Sequence, residues 1–266
     1  MRILLATLTA TMVMGTLPLA AQRDDFRWSG RVAQGKEIEV VGVVGDIRAL
    51  PASGGQVEVV AEMRDGRLPV RVVEHEDGVT LCVVYPNQRA SSGRGNDNGR
   101  CGMTGNVGND PPRVDFTVRV PAGVRFAGRS VTGDVRAQGL RGAIRANTIS
   151  GEVDVQTSEE AEASTVSGDV RVAMGRLPRT GSLRFNSVSG SVRLVLPSDA
   201  GAELRVSTVS GDLDSDFELR LNSRESRGRG WVRVGHDIRG TIGRGGPEIE
   251  IRTVSGDVRV AMGRLR

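Results

Sequence analysis

The chain has 266 residues, with 36 Lys+Arg against 32 Asp+Glu and a formal net charge of +4. Two Trp, one Tyr and five Phe are its only aromatic residues, whereas 36 residues are glycine. This composition excludes a core of large rings and a helical bundle, and it favours many short apolar strands punctuated by glycine. Lys36 is the sole lysine. The sequence has no basic stripe with interleaved aromatics, so a nucleic-acid partner is not predicted.

The N-terminus has the pattern of a secretory signal peptide. Arg2 precedes an apolar stretch from Ile3 to Leu19, and the small residues Ala20 and Ala21 follow it. The pattern predicts a signal peptide over residues 1–21, cleaved after Ala20 or Ala21. Threonines and a proline within the stretch disfavour the alternative, an uncleaved membrane anchor. We therefore expect a periplasmic or extracellular protein whose mature chain has no stable membrane insertion.

Residues 22–120 form an N-terminal β region in this interpretation, a cap or a set of early coils that continues into residues 121–266. Its alternating apolar and polar residues predict five strands. These are Glu37–Val44, Gln56–Glu62, Val70–Glu74, Val79–Tyr85 and Arg113–Val120.

The two cysteines flank a polar, glycine-rich segment. Cys82 and Cys101 enclose residues 87–100, which read as a long hairpin loop. In an oxidising compartment, two such cysteines most simply form one disulfide. Closing a loop of about 20 residues stabilises a fold by roughly 3 kcal/mol in the chain-entropy model.

A repeat runs through the second half of the chain. Its copies include VTGDVRA, TISGEVDV, SVSGSVRLVLP and TVSGDLDSD, and residues 165–177 and 253–265 are identical. Successive copies are 17–22 residues apart, except for a double step before the last. With an earlier relative near the mature N-terminus, the central glycines are Gly45, Gly133, Gly151, Gly168, Gly190, Gly211 and Gly256.

Each copy alternates with the period of a β-strand. In residues 165–172, this alternation directs Val166, Gly168, Val170 and Val172 inward and the intervening residues outward. A single coil buries too little to fold alone, so the copies are expected to stack. The sequence therefore predicts an all-β protein, a β-solenoid similar to a right-handed β-helix, with parallel sheets. An antiparallel β-sandwich is the alternative, because strand spacings of 8–12 residues also suit that fold.

Acidic residues recur directly after the repeat glycines. Stacking in register would place them in an outward acidic column, which Arg136, Arg171 and Arg259 can neutralise from two positions further along. A glycosidase instead needs two carboxylates about 5–10 Å apart in differing environments. The pattern predicts a solvated charge ladder without catalytic residues, and weak contact with a divalent cation stays open. The column comprises Asp46, Asp134, Glu152, Asp169, Asp212 and Asp257.

Other candidate sites fail on their sequence context. The segment from Gly30 to Lys36 has phosphate-loop spacing, but Glu37 replaces the required Ser or Thr and a strand pattern follows. His75 and His236 lack partners at ligand spacing. No cofactor or metal site is predicted.

Large aromatic side chains could serve as contact platforms for a sugar. Trp28, Tyr85 and Trp231 are the candidates of sufficient size. Packing in the core or in loops is the simpler interpretation for each, and Tyr85, beside the cysteine-flanked loop, is the better contact candidate.

The repeats resemble those of the bacterial putative adhesin family of exported β-helical proteins, which has no assigned chemistry. The resemblance extends to CVVYPN…CG…VDFTVRVPAGV and to DLDSDFEL…GPEIEIRTVSGDVRV, and it covers most of residues 30–266. It implies a non-enzymatic envelope or surface protein whose partner is a glycan or another protein. The alternative function is a polysaccharide-active enzyme on a β-helix, because β-helices can host sugar-cleaving sites.

The C-terminus ends one residue after a complete repeat. If residues 253–266 form the last coil of the stack, then Val254, Val258, Val260 and Met262 are exposed at an open end. We expect the loop at residues 222–230 to cover this end, or the end to mediate self-association.

Overall fold

The computed structural model describes residues 25–64, 66–85, 111–179, 182–221 and 237–263, in which all regular secondary structure is β-strand. The strands are β1 (Phe26–Gly30), β2 (Glu37–Val41), β3 (Ile47–Pro51), β4 (Val57–Arg64), β5 (Val70–His75), β6 (Gly78–Val83), β7 (Arg113–Val120), β8 (Arg125–Arg129), β9 (Val135–Leu140), β10 (Ile144–Asn147), β11 (Val153–Thr157), β12 (Ala161–Ser167), β13 (Val170–Met174), β14 (Ser182–Ser189), β15 (Val192–Leu196), β16 (Ala202–Ser210), β17 (Leu213–Ser215), β18 (Leu219–Leu221), β19 (Ile238–Ile242), β20 (Glu248–Ser255) and β21 (Val258–Met262). The predicted signal peptide, Cys101, Trp231, His236 and the loop at 222–230 lie outside these residues.

The strands form two sheets between which the chain passes back and forth. One has the order β1-β4-β7-β3-β9-β11-β13-β15-β21-β17, and the other β18-β19-β16-β20-β14-β12-β10-β8-β2-β6-β5. We call them sheet A and sheet B. The strands of the repeats pair in parallel with one another, so each repeat is one coil with a strand in each sheet. The result is an all-β, solenoid-like stack, and the antiparallel β-sandwich was wrong for the repeats.

The coils do not stack in chain order at either end. The C-terminal coil, β20–β21, lies between the coil β14–β15 and the coil β16–β17. At the other end, β2–β3 lies between β6–β7 and β8–β9. The expectation that residues 253–266 form an open end was therefore wrong. The edge strands at that end are β17 and β18, and the described strand β19 pairs antiparallel with both β16 and β18.

The five strands predicted in residues 22–120 correspond to β2, β4, β5, β6 and β7, and they belong to the same two sheets. Antiparallel pairing occurs among β1, β4 and β7 and between β5 and β6. The division at residue 120 stays a prediction. Within the described ranges, the chain forms no helix that could cross a lipid bilayer.

The apolar core lies between the sheets, and in residues 165–172 the buried side differs from the prediction at two positions. Val170 and Val172 are buried, as the alternation predicts, but Thr165 is 4% exposed whereas Val166 is 46% exposed. The strand alternation stops before Gly168, because the chain turns there from sheet B into sheet A. Extending the period of two through this turn reversed the assignment of Thr165 and Val166.

Candidate binding surface

The repeat glycines stack along the turn that joins sheet B to sheet A, which we call the glycine corner. Each has a positive φ, between 135° and 152°, in the range that disfavours residues with a Cβ. A Cβ at each repeat glycine would overlap a backbone carbonyl of the neighbouring coil. Glycine is therefore required both by the backbone conformation and by the close stacking. The spatial order is Gly45, Gly133, Gly151, Gly168, Gly190, Gly256 and Gly211.

Buried hydroxyl groups support the glycine corner from inside. The Thr165 hydroxyl donates to the Gly151 carbonyl at 3.0 Å, and Thr148 donates to Gly133 at 2.9 Å. Equivalent bonds are made by Ser130, Ser187 and Thr253 to the glycine one coil away. These bonds explain why a hydroxyl residue occupies the inward position three residues before the glycine: it satisfies a carbonyl that the turn leaves without a ladder partner.

The acidic residues after the glycines form a ladder of side-chain to backbone hydrogen bonds. The Asp134 backbone N–H donates to Asp46 Oδ1 at 2.9 Å, and the Glu152 N–H donates to Asp134 Oδ1 at 2.8 Å. The same bond joins Asp46 to Asp115, Ser191 to Asp169 and Asp212 to Asp257. We call this series the carboxylate ladder. Each of these aspartates is thereby held by its neighbouring coil, which accounts for the residue type without any catalytic role.

Two coils depart from the carboxylate ladder. Glu152 stands where most coils have Asp, and its longer side chain instead pairs with Arg171. Ser191 has no carboxylate, so it offers no such acceptor to the Asp257 backbone N–H of the adjacent coil. Arg193, two residues beyond Ser191, is exposed and has no ion pair among the described residues.

Arginines beside the ladder neutralise it, although not all as predicted. Arg136 pairs with Asp134 at 2.6 Å, and Arg171 pairs with Asp169 at 2.9 Å, both two residues apart. Arg259 was expected to pair with Asp257, but it pairs with Asp214 and Asp216. The reason is topological: Asp214 lies directly opposite Arg259 in the adjacent strand.

Asp154 is an acidic residue of these coils whose pKa is raised. It is a half-buried residue on the outer face of sheet A, between Arg136 and Arg171 in the neighbouring strands. Burial raises the pKa of its carboxyl group, and the two arginines partly offset that effect. Hydrogen bonding to Glu152 raises the pKa of Arg171. Arg171 therefore remains a positively charged neighbour of Asp154.

A column of exposed apolar side chains runs along the glycine corner, two residues before five of the seven repeat glycines. We call it the valine column. Its members are between 46% and 68% exposed, although they are all β-branched and apolar. Next to it, the exposed residues directly before the glycines form a serine row of Ser150, Ser167, Ser189, Ser255 and Ser210. In spatial order the valine column is Ile149, Val166, Val188, Val254 and Val209.

The sequence analysis missed the valine column, because it assigned these residues to the core. The available signal was the tight Ser-Gly turn. The strand alternation ends at this turn, so the two residues directly before the glycine are both exposed. Contiguous exposed apolar surface is uncommon on soluble proteins and marks interaction sites. All but one of the exposed large apolar residues among the described positions belong to this column, and the exception is Met262.

A buried polar network lies on β2 and β6, away from the glycine corner. Glu39 accepts a hydrogen bond from the Thr80 hydroxyl at 2.9 Å and pairs with Arg129 at 3.3 Å. His75 Nε2 lies 3.0 Å from the same hydroxyl. His75 is thus tied to this network, and the described residues include no cluster of three or more His, Cys, Asp or Glu that could hold a metal ion.

Tyr85 does not provide a contact platform. Its side chain is almost completely buried, and its hydroxyl donates to the Pro112 carbonyl at 3.1 Å. Burial also raises the pKa of this hydroxyl. The contact interpretation was therefore wrong for Tyr85, because the ring completes the core at the end of sheet B. Trp28 is partly buried and packs against the same core.

One cavity holds several charged residues on the outer face of sheet B. It has a volume of about 210 Å³. Arg145 pairs there with both Glu37 and Glu162, and the Nε of Arg125 is buried without a hydrogen-bond partner among the described residues. Opposite charges neutralise each other across the cavity, so it suits a small polar molecule better than an ion. Its charged lining residues are Glu37, Arg125, Arg145, Glu160, Glu162 and Arg184.

The fold and the corner define a repetitive parallel-β protein built from stacked coils. The chain belongs to the Toastrack DUF4097 family, whose model matches residues 125–261, just over half of its length. No curated protein matches the chain.

One solved structure shows the same fold at low sequence identity, and two others are similar to a smaller degree. A putative cell adhesion protein from Clostridium sporogenes is 10% identical, with a TM-score of 0.50 over 90% of this chain and 100% of its own. Putative adhesins from Bacteroides fragilis and Parabacteroides merdae are 12% and 8% identical, with TM-scores of 0.37 and 0.24. They cover 90% and 89% of this chain and 97% and 95% of their own. At 10% identity, the likeness to the Clostridium sporogenes protein concerns the fold alone.

Proposed function

We propose that the chain is a non-enzymatic protein of the cell envelope or cell surface that binds a partner through the valine column. The observation that carries the proposal is the continuous exposure of Ile149, Val166, Val188, Val254 and Val209 along five adjacent coils. Adjacent parallel strands lie about 4.8 Å apart, so the column offers one apolar group at each such step. The similar structure from Clostridium sporogenes is named a putative cell adhesion protein, and that name agrees with this role.

The use of the carboxylates supports a binding role over a catalytic one. Asp46, Asp134, Asp169 and Asp257 each accept a backbone hydrogen bond from the next coil. A catalytic pair needs one carboxyl group that donates a proton and one that stays ionised, in differing environments. The ladder instead repeats a single environment from coil to coil.

The binding experiment compares a column variant with a matched control. The column variant carries Val166→Thr, Val188→Thr and Val254→Thr, and threonine keeps the strand preference and the approximate size of valine. Val195→Thr, on the outer face of sheet A, is the control. Labelled parent protein and control should bind intact cells of the encoding species from which the gene has been deleted, whereas the column variant should lose at least tenfold in bound protein. Equal binding by all three would reject the valine column as the binding surface.

The enzymatic alternative has its own test. Asp169→Asn and Asp257→Asn should leave binding to these cells intact, and the parent should release no sugar from envelope polysaccharide. A hydrolytic activity that either substitution abolishes would overturn the non-enzymatic proposal.

The proposal includes export and an oxidised Cys82–Cys101 pair. Cys82 is buried on β6, and Cys101 lies outside the described residues. Protein recovered from the envelope should begin after Ala20 or Ala21, and non-reducing peptide mapping should link the two cysteines. An intact Met1 or two free thiols would contradict this part of the proposal.

We also infer that the coils wind in the right-handed sense. Connections between parallel strands of one sheet are right-handed in about 98% of cases. A crystal structure with left-handed coils would refute this inference.

A further inference from the structure

We propose that the partner of the valine column is the valine column of a second copy of this chain. The inference rests on the proposed function and identifies its partner. Two copies would meet along the glycine corner. This contact differs from the association through the end of the stack that the sequence suggested.

The spacing of the column favours a second copy. Ser150 pairs with Ser167, Ser167 with Ser189, and Ser189 with Ser255, so the residues beside the column are in register from coil to coil. A partner that contacts every valine must repeat at the strand spacing of about 4.8 Å. A second copy meets this requirement by construction, whereas an irregular protein surface matches only one or two steps.

The surroundings of the column are also suited to self-association. On one side lies the serine row. On the other side lie Asn147, Ser164 and Asn186, each directly before a buried hydroxyl residue in the sequence. Apart from the Arg252–Glu250 pair, two columns can therefore meet without removing an ion pair from water, which would oppose binding. Arg252 is the only charged side chain in this second row over the five coils, and it pairs with Glu250.

Charge selects the relative direction of the two copies. A two-fold axis parallel to the column places the carboxylate ladder of one copy opposite Asn147, Ser164, Asn186 and Arg252 of the other. An axis across the column would instead place one carboxylate ladder against the other, and like charges that face each other are destabilising. The geometry therefore favours parallel columns.

The small area of the column makes each contact weak. Five half-exposed side chains and the neighbouring serines provide less than the roughly 800 Å² per partner of a stable interface. Dilute protein is accordingly expected to be monomeric. Surfaces that display many copies would adhere strongly, because linked contacts gain avidity without any new contact.

A bead assay tests the proposal at this multivalent level. Lys36, the only lysine, precedes β2, and the glycine corner follows β2. Amine-reactive coupling at Lys36 therefore leaves the column accessible. Beads that carry the parent or the Val195→Thr control should cluster, whereas beads that carry the column variant should cluster at least tenfold less and should not join parent beads. Thermal unfolding should be the same for all three, and Val188→Ser alone replaces the triple variant if the latter fails to fold.

The outcomes separate this inference from the proposed function. If parent beads stay dispersed but the parent still binds cells through the column, the partner is another molecule and self-recognition is wrong. If parent and column-variant beads cluster equally, association uses another surface, such as the edge strands β17 and β18, and the inference is also wrong. If the column affects neither assay, both proposals fail.

Cysteine cross-linking tests the direction of the columns. On oxidation at high concentration, Val166→Cys alone should form disulfide-linked dimers, because parallel columns place residue 166 opposite residue 166. Preferential linkage in a mixture of Val166→Cys and Val254→Cys would show antiparallel columns and overturn the charge argument. Val195→Cys, outside the column, is the control and should stay unlinked.

Discussion

The segments at residues 165–177 and 253–265 have the same sequence but lie in different parts of the stack. The first belongs to the run of coils that follow chain order, and the second is inserted near one end. At the glycine corner the two are alike: Val166 is 46% exposed and Val254 is 48% exposed, and a Cβ on Gly168 or Gly256 would overlap the neighbouring carbonyl.

Beyond the corner the two segments diverge. Met174, at the end of β13, is 1% exposed, whereas Met262, at the same position of β21, is 44% exposed. In β21, Ala261 is buried beside Val260, so the alternation breaks there. The Met262 backbone N–H donates to Asp216 at 2.9 Å, a residue of the coil that only the second segment adjoins.

The turn is therefore determined locally, whereas the end of the strand is determined by its neighbours. The glycine specifies the corner wherever the motif occurs, including at Gly190, where Ser191 replaces the acid that follows most other copies. The last residues of the strand follow the adjacent coil. Substitutions at equivalent positions of the two segments can therefore test this conclusion.

Gly168→Val and Gly256→Val should have the largest effects, and the effects should be similar. Each would place a branched side chain at a positive φ and against a carbonyl of the next coil. We expect a loss of at least about 4 kcal/mol in the free energy of unfolding, or failure to fold. Urea denaturation measures this loss, and a severe effect in only one segment would show that the corner is not locally determined.

Met174→Ala and Met262→Ala should differ strongly. Truncating the buried Met174 is expected to lower the free energy of unfolding by about 2–5 kcal/mol. The same change at the exposed Met262 should stay within about 0.5 kcal/mol. Chemical denaturation of both variants in one buffer makes the comparison, and equal losses would contradict the different environments described for the two strand ends.

Ser191→Asp should add a missing bond to the carboxylate ladder. The new carboxylate can accept the Asp257 backbone N–H, and Arg193 can pair with it, as Arg171 pairs with Asp169. A gain of about 1 kcal/mol is expected, the usual net contribution of one hydrogen bond. Ser191→Ala is the control and should be neutral. A destabilised Ser191→Asp would show that repulsion from Asp169 and Asp257 outweighs the bond.

Asp154→Asn should have the smallest effect, with a defined pH dependence. Because burial raises the pKa of Asp154 in the fold, ionisation costs more in the folded than in the unfolded chain. The associated stability is present below the ordinary pKa of about 3.9 and is lost as the pH rises through the folded value. Asp154→Asn should therefore melt higher than the parent at pH 7, by less than about 4 °C. Melting curves at pH 7 and pH 3 test the sign, since the difference should disappear in acid.

The local patterns predicted most of the strands but not the order of the coils. Alternation located β2, β4, β5, β6 and β7 to within a few residues, because one face of each strand is buried. The insertion of β20–β21 was not predictable, since two identical segments carry no information about which coil each adjoins. The pairing of Arg259 with Asp214 was missed for the same reason.

The binding surface was harder to predict than the fold. Apolar residues usually lie inside, so Val166 and its equivalents were assigned to the core. Only the turn at Gly168 reverses that assignment, because the strand alternation ends there and Val166 and Ser167 are both exposed. For Tyr85 the simpler interpretation was correct, because this residue beside a polar loop is buried in the core.

The position of β20–β21 also constrains the time at which the molecule can become complete. A chain made from its N-terminus produces β16 and β17 before the coil that separates them from β14 and β15. Their place beside β20 and β21 cannot be filled until residues 248–262 have emerged. The stack is thus complete only after residues 248–262 have been synthesised, and a chain without these residues would lack the strands that join β16 and β17 to β14 and β15.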